Sequence, residues 1–527
     1  MSRGEDEMEE VYRLAPPRKK GLLSLVFSRF TVIVLLLILQ ILLYVFVYGW
    51  LDRVVPFFSA FLIAFTVAMI FYLFNNSMDY SAKLTWMLVI AVFQVAGAIF
   101  LLFTQANLGY RTLAKRENSL IRHTKSAIPQ SQEVADALEK DGSGTDDLVR
   151  YLNRSGCFPA YNNTEVTYFP LGEDKFEAML KALADAKKFI FMEYFILEEG
   201  YMWGKILEIL VAKAAQGVEV RVMYDGMCEI STIPPDYFKL LEEKGIKAKA
   251  FSPIKPIVSS HYNYRDHRKI MIVDGEIAFN GGVNLADEYI NRKERFGHWK
   301  DTAVMLQGSA VKSFTLMFLQ MWNIDEKEPQ FDKWLVDDIT SPQHPSGYVI
   351  PYSDNPLDSK KIGSAVYMDI INRATDYVHI MTPYLILDGE LEGAIKYAAE
   401  RGVDVKLILP GIPDKKTAYA LAKSHYKSLV SSGVEIFEYT PGFVHAKVFV
   451  SDDCKATVGT INLDYRSLYH HFECATYMYK TACISDIEKD FQDTLSKCRR
   501  VTFKTIKDEK LSYKVMGSLL KLIAPLM

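Results

Sequence analysis

Three apolar runs open the hydrophobic pattern of this chain. Residues 31–50, 54–74 and 84–103 each hold about 20 positions without a charge, enough for a helix to cross the hydrocarbon core of a bilayer. Trp50, Phe57, Tyr72 and Trp86 lie near the ends of the runs, where an interfacial aromatic belt belongs. Beyond residue 163 the pattern changes. "KFEAMLKALADAKKFIFMEYFIL" has helical spacing followed by a short strand-forming run, and "WGKILEILVAKAAQGVEVRVMYDG" repeats that order across a Gly turn. "AVYMDIINRATDYVHIMTPYLIL" and "LEGAIKYAAERGVDVKLILPG" do the same further on. Alternating helix and strand predict an α/β fold. The near match of "QGVEVRVMYD" with "RGVDVKLILP", at a spacing far beyond any solenoid period, predicts a duplicated domain.

The expected organisation is therefore two pseudo-twofold related α/β halves preceded by N-terminal transmembrane helices. A polar, disordered, basic-ended tail covers residues 1–29, the membrane region 30–108 and a tether with some helix 109–163. The halves cover 164–340 and 341–500, and an amphipathic segment 501–527 follows. In that segment Val515, Met516, Leu519, Leu520 and Ile523 share one helical stripe, with Lys514, Ser518 and Lys521 opposite. The stripe suits either a bilayer surface or the domain's own core. The first run is too long and too far from the start for a cleaved signal peptide, so a multi-pass membrane protein is expected.

Charge and cysteines refine this picture. Three crossings would put the tail and the α/β part on opposite sides. The flanking basic residues then divide as Arg13, Arg18, Lys19, Lys20, Arg29 and Lys83 against Arg53, Arg111, Lys115, Arg116 and Arg122. Six against five is too even for the positive-inside rule to set an orientation. A re-entrant hairpin in place of one span would change the parity. Six cysteines (Cys157, Cys228, Cys454, Cys474, Cys483, Cys498) without CxxC or zinc spacing suit a reducing compartment, so the catalytic part is expected to face the cytoplasm. The net charge of −3 argues against a nucleic-acid partner.

The candidate chemistry is a constellation that occurs twice. In "RDHRKIMIVDG" and "FVHAKVFVSD" a His-x-Lys pair falls inside a strand-forming run, with an Asp, a Gly and an Asn following at equal spacings. His267, Lys269, Asp274, Gly281 and Asn284 thus correspond to His445, Lys447, Asp452, Gly459 and Asn462. Alternation puts each His and Lys on one strand face. If the halves meet about a twofold axis, Lys269, Lys447, Asn284 and Asn462 can hold a phosphate without a metal or other cofactor. One imidazole can attack phosphorus and the other can shuttle the alcohol's proton. Each imidazole needs a carboxylate to orient it, and Asp301 and Glu473 lie at matching places in "GHWKDTAVML" and "HHFECATYMY". Asp274 and Asp452 count with the catalytic sets, although their strand-end positions favour a loop-holding role. His261, His298, His470 and His471 lack ligand spacing and are expected at the surface or as lining. Tyr194 and Tyr384 are expected in core packing.

At these residues the sequence resembles the phospholipase D superfamily, whose signature is HxKxxxxD with GG/S-x-N in duplicate, and within it the bacterial cardiolipin synthases. The likeness extends from "SAKLTWMLVI" through "NYRDHRKIMIVDG", "FGHWKDTAVMLQG", "GFVHAKVFVSDD" and "GTINLDYRSLYHHFE" to "LLKLIAPLM". It implies a phospholipase D-like fold and a phosphatidyltransferase that joins two phosphatidylglycerol molecules into cardiolipin and glycerol through a phosphohistidine. It further implies His267 as nucleophile and His445 as general acid and base, on a phospholipid bilayer, with a homo-oligomer left open. A hydrolytic phospholipase D or a phosphatidylserine synthase would use the same site. A nuclease or a non-catalytic scaffold fits the charge and the two intact motifs less well.

Overall fold

The computed structural model describes residues 11–15, 42, 46, 58–105, 108–253, 264–336, 339, 342–358 and 360–526. The expected span 31–50 and His261 lie outside the described residues, apart from Leu42 and Phe46.

Two sheets carry the α/β part. The first half contributes β1 (Thr164–Phe169), β2 (Phe189–Tyr194), β3 (Glu219–Asp225), β4 (Lys247–Phe251), β5 (Arg265–Asp266), β6 (Lys269–Val273), β7 (Ile277–Gly281), β8 (His298–Lys300) and β9 (Ala303–Gly308). The second contributes β10 (Tyr348–Asp354), β11 (Tyr377–Met381), β12 (Asp404–Pro410), β13 (Glu435–Tyr439), β14 (Gly442–Val444), β15 (Val448–Ser451), β16 (Lys455–Gly459), β17 (His471–Tyr479) and β18 (Cys498–Arg500). The strand orders are β1-β9-β7-β6-β2-β3-β4 and β10-β17-β16-β15-β11-β12-β13-β18. The first seven positions of the two orders agree, including the parallel runs β2-β3-β4 and β11-β12-β13, and β18 is added at the edge of the second. The central strands are buried throughout, so they read as continuous apolar runs rather than as alternating ones. One core joins Phe191, Ile270 and Ile272 of the first sheet to Ile380, Phe449 and Val458 of the second. The helix Val311–Trp322 packs between them with ten buried residues.

Two expectations about the flanking segments are corrected. The stretch expected as a tether forms the helices Leu108–His123, Gln132–Asp141 and Thr145–Gly156. Leu120, Leu138 and Leu152 enter the main core; these helices look polar only because their outer faces are. The tail is not free throughout either. Tyr12, Leu14 and Ala15 pack on the core beside helix Tyr201–Ala215, and the Glu199 carboxylate accepts backbone N–H bonds from Leu14 and Ala15.

Of the apolar runs, the second forms the helix Phe58–Phe74 and the third the helix Tyr80–Gln105. By length and composition, one helix among the described residues, Tyr80–Leu102, is a candidate to cross a membrane. It does not run straight. Gln94 sits at φ 43°, ψ −114°, and the Trp86 and Phe100 rings lie 5.4 Å apart; fourteen residues of unbroken helix would separate them by about 21 Å. The chain turns back at Gln94. Gly97 permits the close approach, since a Cβ there would stand 2.8 Å from the Val89 carbonyl oxygen. Arms of roughly 14 and 11 residues, about 21 and 16 Å long, fall short of the hydrocarbon thickness of ~30 Å.

The C-terminal segment divides its stripe. Helix Leu511–Lys521 lies on helix Lys416–Ser431, where Gly517 comes so close that a Cβ would meet the Ala420 carbonyl oxygen at 2.4 Å. Met516 and Leu520 are half-buried, whereas Leu511, Val515, Leu519, Leu522, Ile523 and Leu526 are exposed. Thr85 of the hairpin donates to the Leu522 carbonyl at 2.8 Å.

Candidate active site

The strands leading into the two His-x-Lys pairs cross between the halves. β5 pairs with β17 of the second sheet, Arg265 opposite His471 and Asp266 opposite Phe472, and the His267 N–H donates to the Phe472 carbonyl at 2.9 Å. In the same way β14 pairs with β8, Phe443 opposite Trp299, and the His445 N–H donates to the Lys300 carbonyl at 2.7 Å. Each histidine is thereby delivered to the other half's carboxylate. His267 Nδ1 lies 2.9 Å from both oxygens of Glu473, and His445 Nδ1 lies 2.6 Å from Asp301 Oδ2. Nδ1 of each ring is thus engaged by a carboxylate, which leaves Nε2 for another partner. The carboxylates are fully buried, and both imidazoles nearly so.

Lys269 and Lys447 sit at the same seam and donate to the carbonyls of His267 and His445. Burial lowers the Lys269 pKa to about 8 and that of Lys447 to about 7. Burial, with Lys447 beside it, holds His445 at about 4 against the pull of Asp301. His267 is held well below its usual value by burial and then by Lys269. Asp301 resists its own burial: His445 and Lys447 keep its carboxyl low. Burial pushes the Glu473 carboxyl up against the pull of Lys269.

Asn284 and Asn462 are locked beside the seam. Asn284 accepts from the Ile196 N–H at 3.0 Å and donates to the Tyr289 hydroxyl at 2.8 Å. Asn462 donates to Ser467 Oγ at 3.1 Å, and its Oδ1 has no partner. Asp274 and Asp452 do not join the imidazoles, which corrects their place in the catalytic sets. Asp274 accepts from the N–H groups of Lys187, Lys188 and Phe189 at 2.6–2.8 Å. Asp452 accepts from those of Thr375, Asp376 and Tyr377 at 2.9–3.0 Å. Both take positive φ, 56° and 51°, a turn conformation that Asp tolerates. Their carboxylates tie each His-x-Lys strand to its neighbour.

Several neighbours escaped sequence reasoning. Thr460 donates to Glu473. Lys175, fully buried and lowered to about 7 by burial, donates to the Val283 carbonyl at 3.3 Å; its signal was a lysine in line with Met179 and Leu183 on an apolar helix face. His471 lines the seam beside His267. The donor atoms of His267, His471 and Glu473 lie within 4.8 Å of one another, but this set suits a cation poorly. Glu473 is already engaged by His267 and Thr460, and the Lys269 ammonium acts on all three residues.

Equal strand orders, with two His-x-Lys strands meeting at one seam, define an α/β protein of phospholipase D-like architecture. The solved phosphatidylserine synthase of Haemophilus influenzae Rd KW20 shares the fold, with a TM-score of 0.55 at 15% identity over 72% of this chain and 97% of that one. The family described as "Cardiolipin synthase, PLD-like domain" matches residues 179–322 and 367–495. A cardiolipin synthase of Halalkalibacterium halodurans is 31% identical over 95% of this chain and 100% of its own length. An uncharacterized protein of Streptococcus mutans is 58% identical over 88% of this chain and all of its own. The chain belongs to the cardiolipin synthase, PLD-like family.

Proposed function

We propose that this chain is a cardiolipin synthase, transferring a phosphatidyl group from one phosphatidylglycerol to the terminal hydroxyl of another and releasing glycerol. The observation that carries this is the crossed pair of buried His–carboxylate dyads around two buried lysines. Lys269, Lys447, Asn284 and Asn462 hold the phosphodiester oxygens. His267 attacks phosphorus through Nε2, while His445, which takes up a proton as the anionic diester binds beside it, passes that proton to the departing glycerol oxygen. The second lipid's hydroxyl then returns a proton to His445 and displaces His267. One phosphodiester bond breaks and one forms, so no nucleotide is consumed. Glu473 and Asp301 orient the rings. The equal strand orders and the twofold family match support reading residues 164–340 and 341–500 as copies of one unit.

The membrane arrangement belongs to the same proposal. Residues 11–15 pack on the α/β part, so an even number of crossings separates them. The apolar run 31–50 and the helix Phe58–Phe74 make two crossings, and the folded Tyr80–Gln105 re-enters from the side of the tail. Arg13, Arg18, Lys19, Lys20, Arg29, Lys83, Arg111, Lys115, Arg116 and Arg122 then lie on the catalytic side, against Arg53 alone on the other. Ten against one supports a cytoplasmic catalytic part. The hairpin and the exposed C-terminal leucines meet at Leu522, close to the helix Tyr465–Tyr469 that follows Asn462. Lipid headgroups can thus reach the seam without leaving the bilayer surface, and water is held back from the phosphohistidine.

The test is the purified protein in detergent with phosphatidylglycerol alone. Cardiolipin and free glycerol in equal amounts, lost in His267→Ala and in His445→Ala, are expected. Phosphatidic acid as the sole product would make the protein a hydrolase, and no turnover would exclude phosphatidylglycerol as donor.

A further inference from the structure

His471 stands on β17 two residues before Glu473, so both side chains leave the same strand face. Its ring centroid is 5.4 Å from that of His267 and 6.5 Å from that of Phe195. It is 9% exposed, and neither ring nitrogen has a hydrogen-bond partner. The nearest carboxylate oxygen, Glu473 Oε1, is 3.7 Å from Nδ1, beyond hydrogen-bond length. Leaving a buried polar atom unpaired is destabilising, and here two are left unpaired on one ring.

The other half makes the contrast. Trp299 occupies the corresponding place, two residues before Asp301, and its ring lies 5.4 Å from that of His445. Tyr289 and Phe443 flank the same imidazole at 5.4 and 5.8 Å. The seam therefore has large aromatic rings beside His445, where the Trp299 N–H alone is without a partner, and an imidazole with both nitrogens unpartnered beside His267. Burial, then Arg466, holds the His471 pKa well below its ordinary value, so the ring is neutral and offers one donor and one acceptor. A half-turn about Cβ–Cγ exchanges each nitrogen with an edge carbon, and the pair can be presented without backbone movement.

We propose that His471 reads the lipid headgroup, one ring nitrogen donating to a phosphoryl oxygen of the diester held against His267 and the other accepting from a headgroup hydroxyl. The ligand class is a phosphodiester with a hydroxylated, uncharged alcohol, as in a phosphoglycerol headgroup. This rests on the reading of the chain as a phosphatidylglycerol-using transferase. A phosphocholine headgroup has no hydroxyl to give and would leave the accepting nitrogen unpaired, which is how a polar site rejects an analogue.

The experiment uses the full chain in detergent with phosphatidylglycerol or phosphatidylcholine as donor, comparing wild type, His471→Asn and His471→Leu. Thermal midpoints confirm that each variant is folded. His471→Leu is expected to lower kcat/KM for phosphatidylglycerol by about 10- to 100-fold and that for phosphatidylcholine, which loses only the phosphoryl contact, by less, so that discrimination falls. His471→Asn, which keeps a donor and an acceptor, should recover most of the loss. Unchanged kcat/KM on both lipids in His471→Leu would reduce the residue to wall lining. An equal loss on both lipids would make it a support for His267 instead. If wild type makes no cardiolipin from phosphatidylglycerol, the proposed function has failed and this assignment falls with it.

Discussion

His445 and Lys447 show how far environment outweighs residue type. Both are titratable groups inside a β-sheet core, and burial shifts both toward neutrality, to about 4 and about 7. The free protein should therefore lose kcat/KM as pH rises through 7 to 8, because Lys447 and then Lys269, at about 8, surrender the charge that holds phosphate. Stability should move the other way. Unfolded lysine keeps its proton to about pH 10.4, so the unfolded chain binds more protons between the two values and the fold gains stability as pH rises from about 7 toward 10. A pH series of initial rates beside a pH series of thermal midpoints separates the two. His267→Ala and His445→Ala should each lower kcat by about a thousandfold or more, since members of such a unit fail together. Asp274→Ala should instead leave three backbone N–H groups at the start of β2 without their acceptor, lowering the thermal midpoint with little change in kcat.

Among the elements, the short crossing strands matter most. β5 and β14 are two and three residues long, yet their pairing with the opposite half aims each imidazole. The C-terminal helix shows a different logic, one edge packed through Gly517 and the other open. Gly517→Val should push it off helix Lys416–Ser431, because the added carbons would meet the Ala420 carbonyl. Val515→Asp with Leu519→Asp should leave the fold intact, both being exposed, and weaken activity on vesicles more than on detergent-dispersed lipid. Equal activity of the double variant in both assays would remove this helix from the membrane surface.

For the whole molecule the crossed dyads make the two halves interdependent. Residues 1–340 expressed without the rest should be inactive, as should 341–527 by itself, because His267 would lack Glu473 and His445 would lack Asp301. Co-expression of the two pieces should restore turnover if the shared core reassembles, and activity from either piece alone would contradict the crossed site. The topology has its own measurement. A cysteine placed at Arg53 should react with an impermeant thiol reagent from outside intact cells, and one placed at Arg13 should not. Labelling at both positions would break the even parity.

Much of this was legible in the chain. The alternation of helix and strand, the matched "QGVEV" and "RGVDV" segments and the paired His-x-Lys motifs are local patterns with fixed periods, and local periods follow from backbone geometry. So are the apolar runs, whose lengths are read directly from the chain. What the tertiary structure decided lies at long range. The pairing of His267 with Glu473 spans 206 residues and that of His445 with Asp301 spans 144, and no spacing rule distinguishes a crossed dyad from one within a half. The turn at Gln94 and the docking of residues 11–15 are equally invisible to hydropathy, which counts apolar positions but not the direction in which the chain leaves them. The sequence by itself determined the chemistry available to this protein. Packing between distant strands decided which imidazole meets which carboxylate, because that pairing depends on how the two sheets close on each other and not on any local period.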